Sequence, residues 1–285
     1  MKILVTGSNG QLGQSIQKIS SSYKHEFTFT DIEELDVTND EEIDTYLKKG
    51  EFDFLINCVA YTAVDNAEND YDSALALNAT APYLLAKAAK KYKTRFIHIS
   101  TDYVFDGKSS IPYNSKSETN PKTIYGNTKA QGEKKVLRCN KDAKIIRTSW
   151  LYSEFGQNFV KTMAKLGATK SQVSVVFDQV GTPTYATDLA KMIMRFVERM
   201  PIESIFHFSN EGVCSWYDFA RKIMEIKQFK CKVVPILTKD YPTIAKRPAY
   251  TLMDKTEIKQ AMSCEIPHWE DGLKECLDCL AKMGN

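Results

Sequence analysis

Short apolar runs alternate with helical patterns through the first half of the chain. The runs KILVTG (2–7), EFTFTD (26–31), FDFLINC (52–58), RFIHIS (95–100) and AKIIRTS (143–149) have the length and the β-branched or aromatic content of strands. Segments 11–22, 40–49, 71–92 and 125–138 between them read as helices. Strands that alternate with helices build βαβ units, and therefore a parallel sheet covered on both faces. The predicted fold class is α/β, with a Rossmann-like doubly wound sheet over residues 1–151.

Beyond residue 152 the rhythm loosens. A helix over 156–167, a strand over 174–177, a helix over 187–199, a strand over 205–209, a helix over 216–227 and a strand KVVPI (232–236) precede a terminal helix. Three prolines, Pro235, Pro242 and Pro248, mark the stretch before that helix as loop. The pattern predicts a smaller C-terminal α/β lobe made of 152–181 and 210–285, with 182–209 returning to the first domain. The polar stretch 106–123 is too long for a tight connection, which marks it as functional or mobile.

Composition narrows the class without changing this picture. Of 285 residues, 43% are hydrophobic and 26% charged, and 38 basic residues nearly balance 36 acidic ones for a net charge of +2. The charges are mixed along the chain, so neither nucleic acid nor an anionic membrane is an expected partner. No apolar run approaches the roughly 18–20 residues of a membrane span, and a cytoplasmic protein is expected. Seven scattered cysteines fit reduced thiols. The pair Cys276 and Cys279 shares a helical pattern with Leu273, Leu277 and Leu280, which reads as a buried stripe and not as a metal site.

Candidate chemistry begins at GSNGQLG, directly after the first strand. Gly7, Gly10 and Gly13 allow a tight turn and close approach of a pyrophosphate, while Asn9, Gln11 and Leu12 open a helix whose N-terminus favours anions. Asp31 ends the second strand 18 residues after Gly13, near the offset at which an acid meets an adenosine ribose. It could equally be a surface acid. An acid there favours NADH over NADPH, since it repels a 2′-phosphate, and NADPH stays open. Asp36 and Val37 are placed to flank the adenine, and Cys58, Val59 and Ala60 to form an apolar floor at the end of the third strand.

The fourth strand runs into STDYVFDG, which sets Ser100, Thr101 and Asp102 at the carboxyl edge of the sheet. Tyr125 and Lys129 lie four apart at a helix start, so phenol and ammonium share a face. A free phenol, with a pKa near ~10, is a poor acid at neutral pH. Lys129 and an oxidised nicotinamide would lower that value, making Tyr125 a proton donor to a carbonyl oxygen that Thr101 polarises. Alone, the Tyr-x-x-x-Lys spacing is as compatible with a solvated helix face. Behind a glycine loop and a strand-end Ser-Thr it reads as reductase chemistry.

Together GSNGQLG, STDYVF and YGNTK resemble the extended short-chain dehydrogenase/reductases. More narrowly, NCVAYTAVDNAE (57–68), LNATAPYLLAKAA (77–89), RTSWLY (147–152), DQVGTPT (178–184) and KRPAYTLMD (246–254) are similar to the dTDP-4-dehydrorhamnose reductase family, nearly end to end. That resemblance implies NADH- or NADPH-dependent reduction of a nucleotide-sugar C4 ketone, with Thr101, Tyr125 and Lys129 as catalytic residues. It places Asp102, Tyr103 and Trp150 against the sugar, although Trp150 could be plain core. Trp216 and Arg247 become candidates for holding the nucleotide diphosphate, with a surface arginine as the simpler reading. Asn78 resembles a structural asparagine of such enzymes. Where some relatives are described with Mg²⁺ held by glutamates, this chain has Ser15 and Thr187, so no metal is expected.

Two other readings share these motifs. One is a different nucleotide-sugar reductase, epimerase or dehydratase; a dehydratase would want an Asp-Glu pair after Thr101, where this chain has Asp102 and Tyr103. The other is a non-catalytic subunit similar to the methionine adenosyltransferase β subunit, against which AYTAVDNAE and RTSW speak. The assembly state is left open, a homodimer among the options.

Overall fold

The computed structural model describes residues 1–283. The first half contains β1 (Lys2–Thr6), α1 (Gln11–Ser20), β2 (Glu26–Thr30), α2 (Asp40–Gly50), β3 (Phe54–Asn57), α3 (Val64–Ala67), α4 (Tyr71–Leu75), α5 (Ala81–Lys91), β4 (Arg95–Thr101), α6 (Ile124–Cys139) and β5 (Lys144–Thr148). The second half adds β6 (Leu151–Tyr152), α7 (Phe159–Thr169), β7 (Gln172–Val176), β8 (Val180–Gly181), β9 (Thr184–Tyr185), α8 (Ala186–Glu198) and β10 (Ile205–His207). It closes with β11 (Cys214–Ser215), α9 (Trp216–Ile226), β12 (Lys232–Ile236), α10 (Thr256–Met262) and α11 (Trp269–Lys282).

Six strands form one parallel sheet in the order β10-β5-β4-β3-β1-β2. The chain leaves β1 toward β2 on one side and returns to β3 on the other, so the crevice outside the carboxyl ends of β1 and β3 is the topological switch point. Side chains alternate cleanly between two cores. Ile3, Val5, Phe54, Ile56, Ile97 and Ile146 face α1 and α8, whereas Leu4, Leu55, Phe96 and Ile145 face α2, α5 and α6. With both faces buried, the inner strands read as nearly continuous apolar runs, while the edge strand β2 alternates Phe and Thr and is only partly buried.

β10 completes the sheet beside β5, and α8 packs against α1. A third core lies between α7, α9 and α11, where Phe219, Ile223, Leu273, Cys276, Leu277 and Leu280 meet, so Cys276 is part of a buried stripe. α10 packs Ile258 and Met262 into the first core.

Two details differ from expectation, and the expected strand over 232–236 forms with its proline in place. Helix 71–92 is interrupted by one π-helical turn over Ala76–Thr80, because Pro82 has no N–H to give the Asn78 carbonyl. Pro235 lies within β12, which pairs with β7 in a two-stranded sheet, so the missing N–H is tolerated at an edge. The 106–123 stretch is pinned to the C-terminal lobe: Tyr113 N–H donates to the Leu252 carbonyl at 2.9 Å, and Asp254 N–H donates to the Tyr113 carbonyl at 2.8 Å.

Candidate active site

The glycine loop is shaped by close approach. Gly7 has φ +72°, and a Cβ there would meet the Val59 nitrogen at 2.8 Å; one on Gly13 would meet the Gly7 carbonyl oxygen at 2.4 Å. These two glycines let β1, the exit of β3 and α1 touch. α1 begins at Gly10 with no side-chain cap and no acid in its first turn, so its free N–H groups and dipole face the cleft. That arrangement fits the pyrophosphate of a dinucleotide. Asp31 lies against the loop, its Oδ2 accepting from Asn9 N–H at 2.9 Å.

One cavity of about 580 Å³ gathers most of the candidate residues. Asn9, Gly10, Gln11 and Leu12 line one wall, Cys58 and Ala60 the floor, and Thr101, Asp102, Tyr103, Tyr125, Lys129, Trp150 and Trp216 the remainder. Val37 is in the second core, 6% exposed, and Val59 packs against that core. The Asp36 carboxylate accepts from the Thr38 N–H and hydroxyl at 2.9 and 2.7 Å. Asp31, Asp36, Val37, Val59 and Arg247 do not line this cavity.

α6 presents the reacting pair. Thr123 caps it, accepting from Gly126 N–H at 3.0 Å. The small residues of YGNTK are structural: a Cβ on Gly126 would sit 2.2 Å from the Tyr103 carbonyl oxygen, and the buried Thr128 hydroxyl bonds back to the Ile124 and Tyr125 carbonyls. Asn78 clamps the backbone of Tyr61 through two hydrogen bonds of 2.9 and 3.1 Å and donates to Thr128 at 3.2 Å. The π turn that carries Asn78 thus braces α6 against the loop after β3.

Electrostatics correct one expectation. Burial pushes the Tyr125 phenol up to about 12, against a smaller lowering from its hydrogen bond with Thr101. The Lys129 ammonium is not among the influences that set this value; it turns into the sheet edge, donating to the Ile99 carbonyl at 2.6 Å. Burial brings Lys129 itself down to about 8, with Glu133 and Cys58 opposing. The Thr101 hydroxyl donates to Asp102 Oδ1 at 3.0 Å and accepts from Tyr103 N–H at 3.2 Å. Asp102 is 1% exposed, and burial raises its carboxyl to about 6.

On the far side of the cleft, Trp150 and Trp216 stack with ring centroids 3.7 Å apart and planes 12° off parallel. Trp150 has φ +46°, a strained backbone for a bulky residue. A Cβ on Gly181 would meet its ring at 3.0 Å, so glycine makes room for the indole. Trp216 and Arg247 also border a second, more apolar cavity of about 510 Å³, beside Met163, Leu166, Val173 and Val175. Arg247 is ion-paired to Asp65 at 2.6 Å, which departs from a free surface arginine.

Several contributors escaped the sequence reading. Thr148, Ser149 and Gly156–Phe159 line the main cavity; their position at or beyond the carboxyl end of the fifth strand was the available signal. Below the cavity, Glu133 accepts from the Ser100 hydroxyl at 2.5 Å and from Arg147 Nε and Nη2 at 2.9 and 2.7 Å. This buried bidentate pair ties α6 to β4 and β5. Ser15 and Thr187 are both buried, and the Ser15 hydroxyl donates to the Gln11 carbonyl at 2.8 Å. Among the described residues, no cluster of three or more His, Cys, Asp or Glu side chains could hold a metal.

A glycine loop at the switch point, facing a threonine and a Tyr-x-x-x-Lys pair across the carboxyl edge of a parallel sheet, is the arrangement of an extended short-chain dehydrogenase/reductase. Within that class, a family model described as the RmlD substrate binding domain matches residues 1–282, and the chain belongs to that family. It is 38% identical to the dTDP-4-dehydrorhamnose reductase of Aggregatibacter actinomycetemcomitans, over 96% of this chain and 97% of that one. The solved dTDP-4-dehydrorhamnose reductase of Clostridium acetobutylicum superposes with a TM-score of 0.95 at 41% identity, covering 99% of this chain and 100% of the other. The Bacillus anthracis enzyme, solved in complex with NADP, gives 0.94 at 35% identity, with 97% and 98% covered.

Proposed function

We propose that the protein reduces the C4 ketone of dTDP-4-dehydro-L-rhamnose to dTDP-L-rhamnose, a step of cell-surface polysaccharide synthesis, using NADH or NADPH. The observation that carries this reading is the convergence of the glycine loop, Thr101, Tyr125 and Lys129 on one cavity in a chain that matches the reductase family over its described length. The free N–H groups at Gln11 and Leu12 hold the cofactor pyrophosphate, and the Asp31 carboxylate takes the adenosine ribose, which favours NADH. When bound, the reduced nicotinamide supplies the hydride.

The rest of the chemistry belongs to side chains of this chain. Tyr125 carries its proton throughout the neutral range and can deliver it to the ketone oxygen as negative charge develops there, against the burial that raises the phenol to about 12. Thr101 shares that oxygen once its hydroxyl turns from Asp102. Lys129, fixed on the Ile99 carbonyl, offers its remaining hydrogens toward the cofactor ribose. Asp102, Tyr103 and Trp150 meet the sugar. Trp216 and Arg247 border the nucleotide end, where the second cavity has the size and apolar lining for a base.

The lobe made of 152–181 and 210–285, apart from α10 on the first core, is thus assigned to the sugar nucleotide and the sheet to the dinucleotide. We place the reaction in the cytoplasm, in keeping with seven free cysteines. The test is oxidation of NADH or NADPH by the dTDP-4-keto-L-sugar with purified protein, followed by loss of the reduced-nicotinamide absorbance. No turnover with either cofactor would sink the proposal, and turnover with other nucleotide bases would widen it.

A further inference from the structure

A chain of buried polar groups runs under the catalytic helix and ends at Lys129. Asn57, at the end of β3, is 0% exposed, and its Oδ1 accepts from Val59 N–H at 3.0 Å and from the Thr6 hydroxyl at 2.9 Å. A backbone N–H can only donate, so the amide orientation is fixed: the oxygen faces Val59 and the NH₂ faces away. That NH₂ meets His98 Nδ1 at 3.1 Å. His98 Nδ1 must therefore be the acceptor, and a neutral imidazole must then carry its hydrogen on Nε2. His98 is itself 0% exposed, and Nε2 lies 3.5 Å from Lys129 Nζ.

From this geometry we infer that His98 is a positioning residue for the proposed reduction, which presents an N–H to the Lys129 nitrogen and so disfavours its ammonium form. An ammonium at that point has one good acceptor, the Ile99 carbonyl at 2.6 Å, and a second donor facing it across 3.5 Å. A neutral amine can satisfy both groups by donating to Ile99 and accepting from His98. The other charged or titratable neighbours are Cys58 at the exit of β3 and Glu133 one turn along α6, and both favour the ammonium. Burial already brings Lys129 down to about 8, and His98 is the neighbour whose hydrogen-bond polarity adds to that tilt toward the amine.

The inference rests on the reductase reading only for its catalytic consequence; its structural content is tested without substrate. In [15N]histidine-labelled protein, the His98 signals are assigned by their loss in His98→Gln. They should show an unprotonated Nδ1 and a protonated Nε2, unchanged over the range in which an ordinary imidazole titrates, about pH 5 to 8. A protonated Nδ1, or an imidazolium appearing in that range, overturns the inference. In His98→Gln, the side-chain carbonyl can accept from Lys129, so the Lys129 Cε titration in [13C]lysine-labelled protein should move up by on the order of one pH unit. The alkaline limb of kcat should move with it. An unmoved Lys129 titration in folded His98→Gln also overturns it, and if that variant does not fold, the wild-type histidine spectrum, assigned from single substitutions of the other three histidines, still decides. Failure of the dTDP-sugar assay with both histidine and lysine results intact would instead count against the reductase reading.

Discussion

Arg247 and Asp65 form a two-point ion pair, with Nη2 2.6 Å from Oδ2 and Nη1 3.2 Å from Oδ1. Ala245 N–H also donates to Oδ1 at 3.0 Å, so one carboxylate gathers the C-terminal loop onto α3 beside the cleft. Both side chains are partly exposed, and such a pair is worth about 0.5–1 kcal/mol. Arg247 holds the Asp65 carboxyl below its ordinary value. The stability that this supplies is present above the unfolded value of 3.8 and is lost as pH falls through the lower folded value. Asp65→Asn is therefore expected to lower the urea midpoint slightly at pH 7 and to match wild type in strong acid. Its KM for the nucleotide sugar should rise by roughly tenfold, the equivalent of about 1.4 kcal/mol.

Asp102 carries the opposite sign. Its folded pKa, about 6, lies above the unfolded value of 3.8. The cost of burying the carboxylate is absent below the unfolded value, grows between the two and is constant above the folded one. The Thr251 hydroxyl lies beside the Asp102 carboxylate and opposes the effect of burial, and an amide at 102 can keep that neighbour without carrying a charge. Asp102→Asn should be more stable than wild type at pH 8 by up to about 3 kcal/mol. The difference should vanish near pH 3, and activity should fall. Denaturation at the two pH values decides the matter, and a variant less stable at pH 8 refutes it.

Tyr125→Phe should lower kcat by about 10²–10⁴ while leaving NADH affinity within a few-fold of wild type. Isothermal titration with NADH and steady-state rates separate the two effects. Because burial lifts the phenol to about 12 and Lys129 sits near 8, the alkaline limb of the wild-type rate should fall near pH 8 and not near 10.

Gly126→Ala tests the contact behind YGNTK. A methyl group 2.2 Å from the Tyr103 carbonyl oxygen cannot be accommodated without moving α6 or the 102–104 turn. We expect a loss of about 1–3 kcal/mol in chemical denaturation and a fall in kcat larger than any change in KM. A variant with wild-type stability would show that the helix start yields freely.

Asp31→Ser addresses cofactor choice. On the proposed cofactor binding, the carboxylate that bonds Asn9 N–H would repel an adenosine 2′-phosphate. Removing it should raise kcat/KM for NADPH relative to NADH by about tenfold, which is about 1.4 kcal/mol. An unchanged ratio would take Asp31 out of the discrimination.

The sheet was legible because a parallel strand buried on both faces is a short, continuous apolar run, and every such run in the first half of the chain became one. Helix starts were legible from caps and glycines. Interruptions were not: the π turn at Ala76–Thr80 depends on Pro82 and on packing of α6, whose Gly132 would place a Cβ 2.1 Å from the Asn78 carbonyl oxygen. α10 and the short β6, β8, β9 and β11 strands have too few residues for a period to show.

The site divides in the same way. The order of residues determined the glycine loop, the strand-end Thr101 and the helical Tyr125–Lys129 pair, since strand, turn and helix set their spacing locally. Only the tertiary structure decided that Arg247 answers to Asp65, that Trp150 lies flat on Trp216, and that Lys129 turns toward Ile99 and His98 instead of setting the Tyr125 phenol. Those relationships join residues distant in sequence, and their energies come from burial and from which hydrogen-bonding groups the fold leaves facing each other. Local pattern can place a tyrosine and a lysine on one helix face; the charge that each carries is set by what the rest of the chain packs around it.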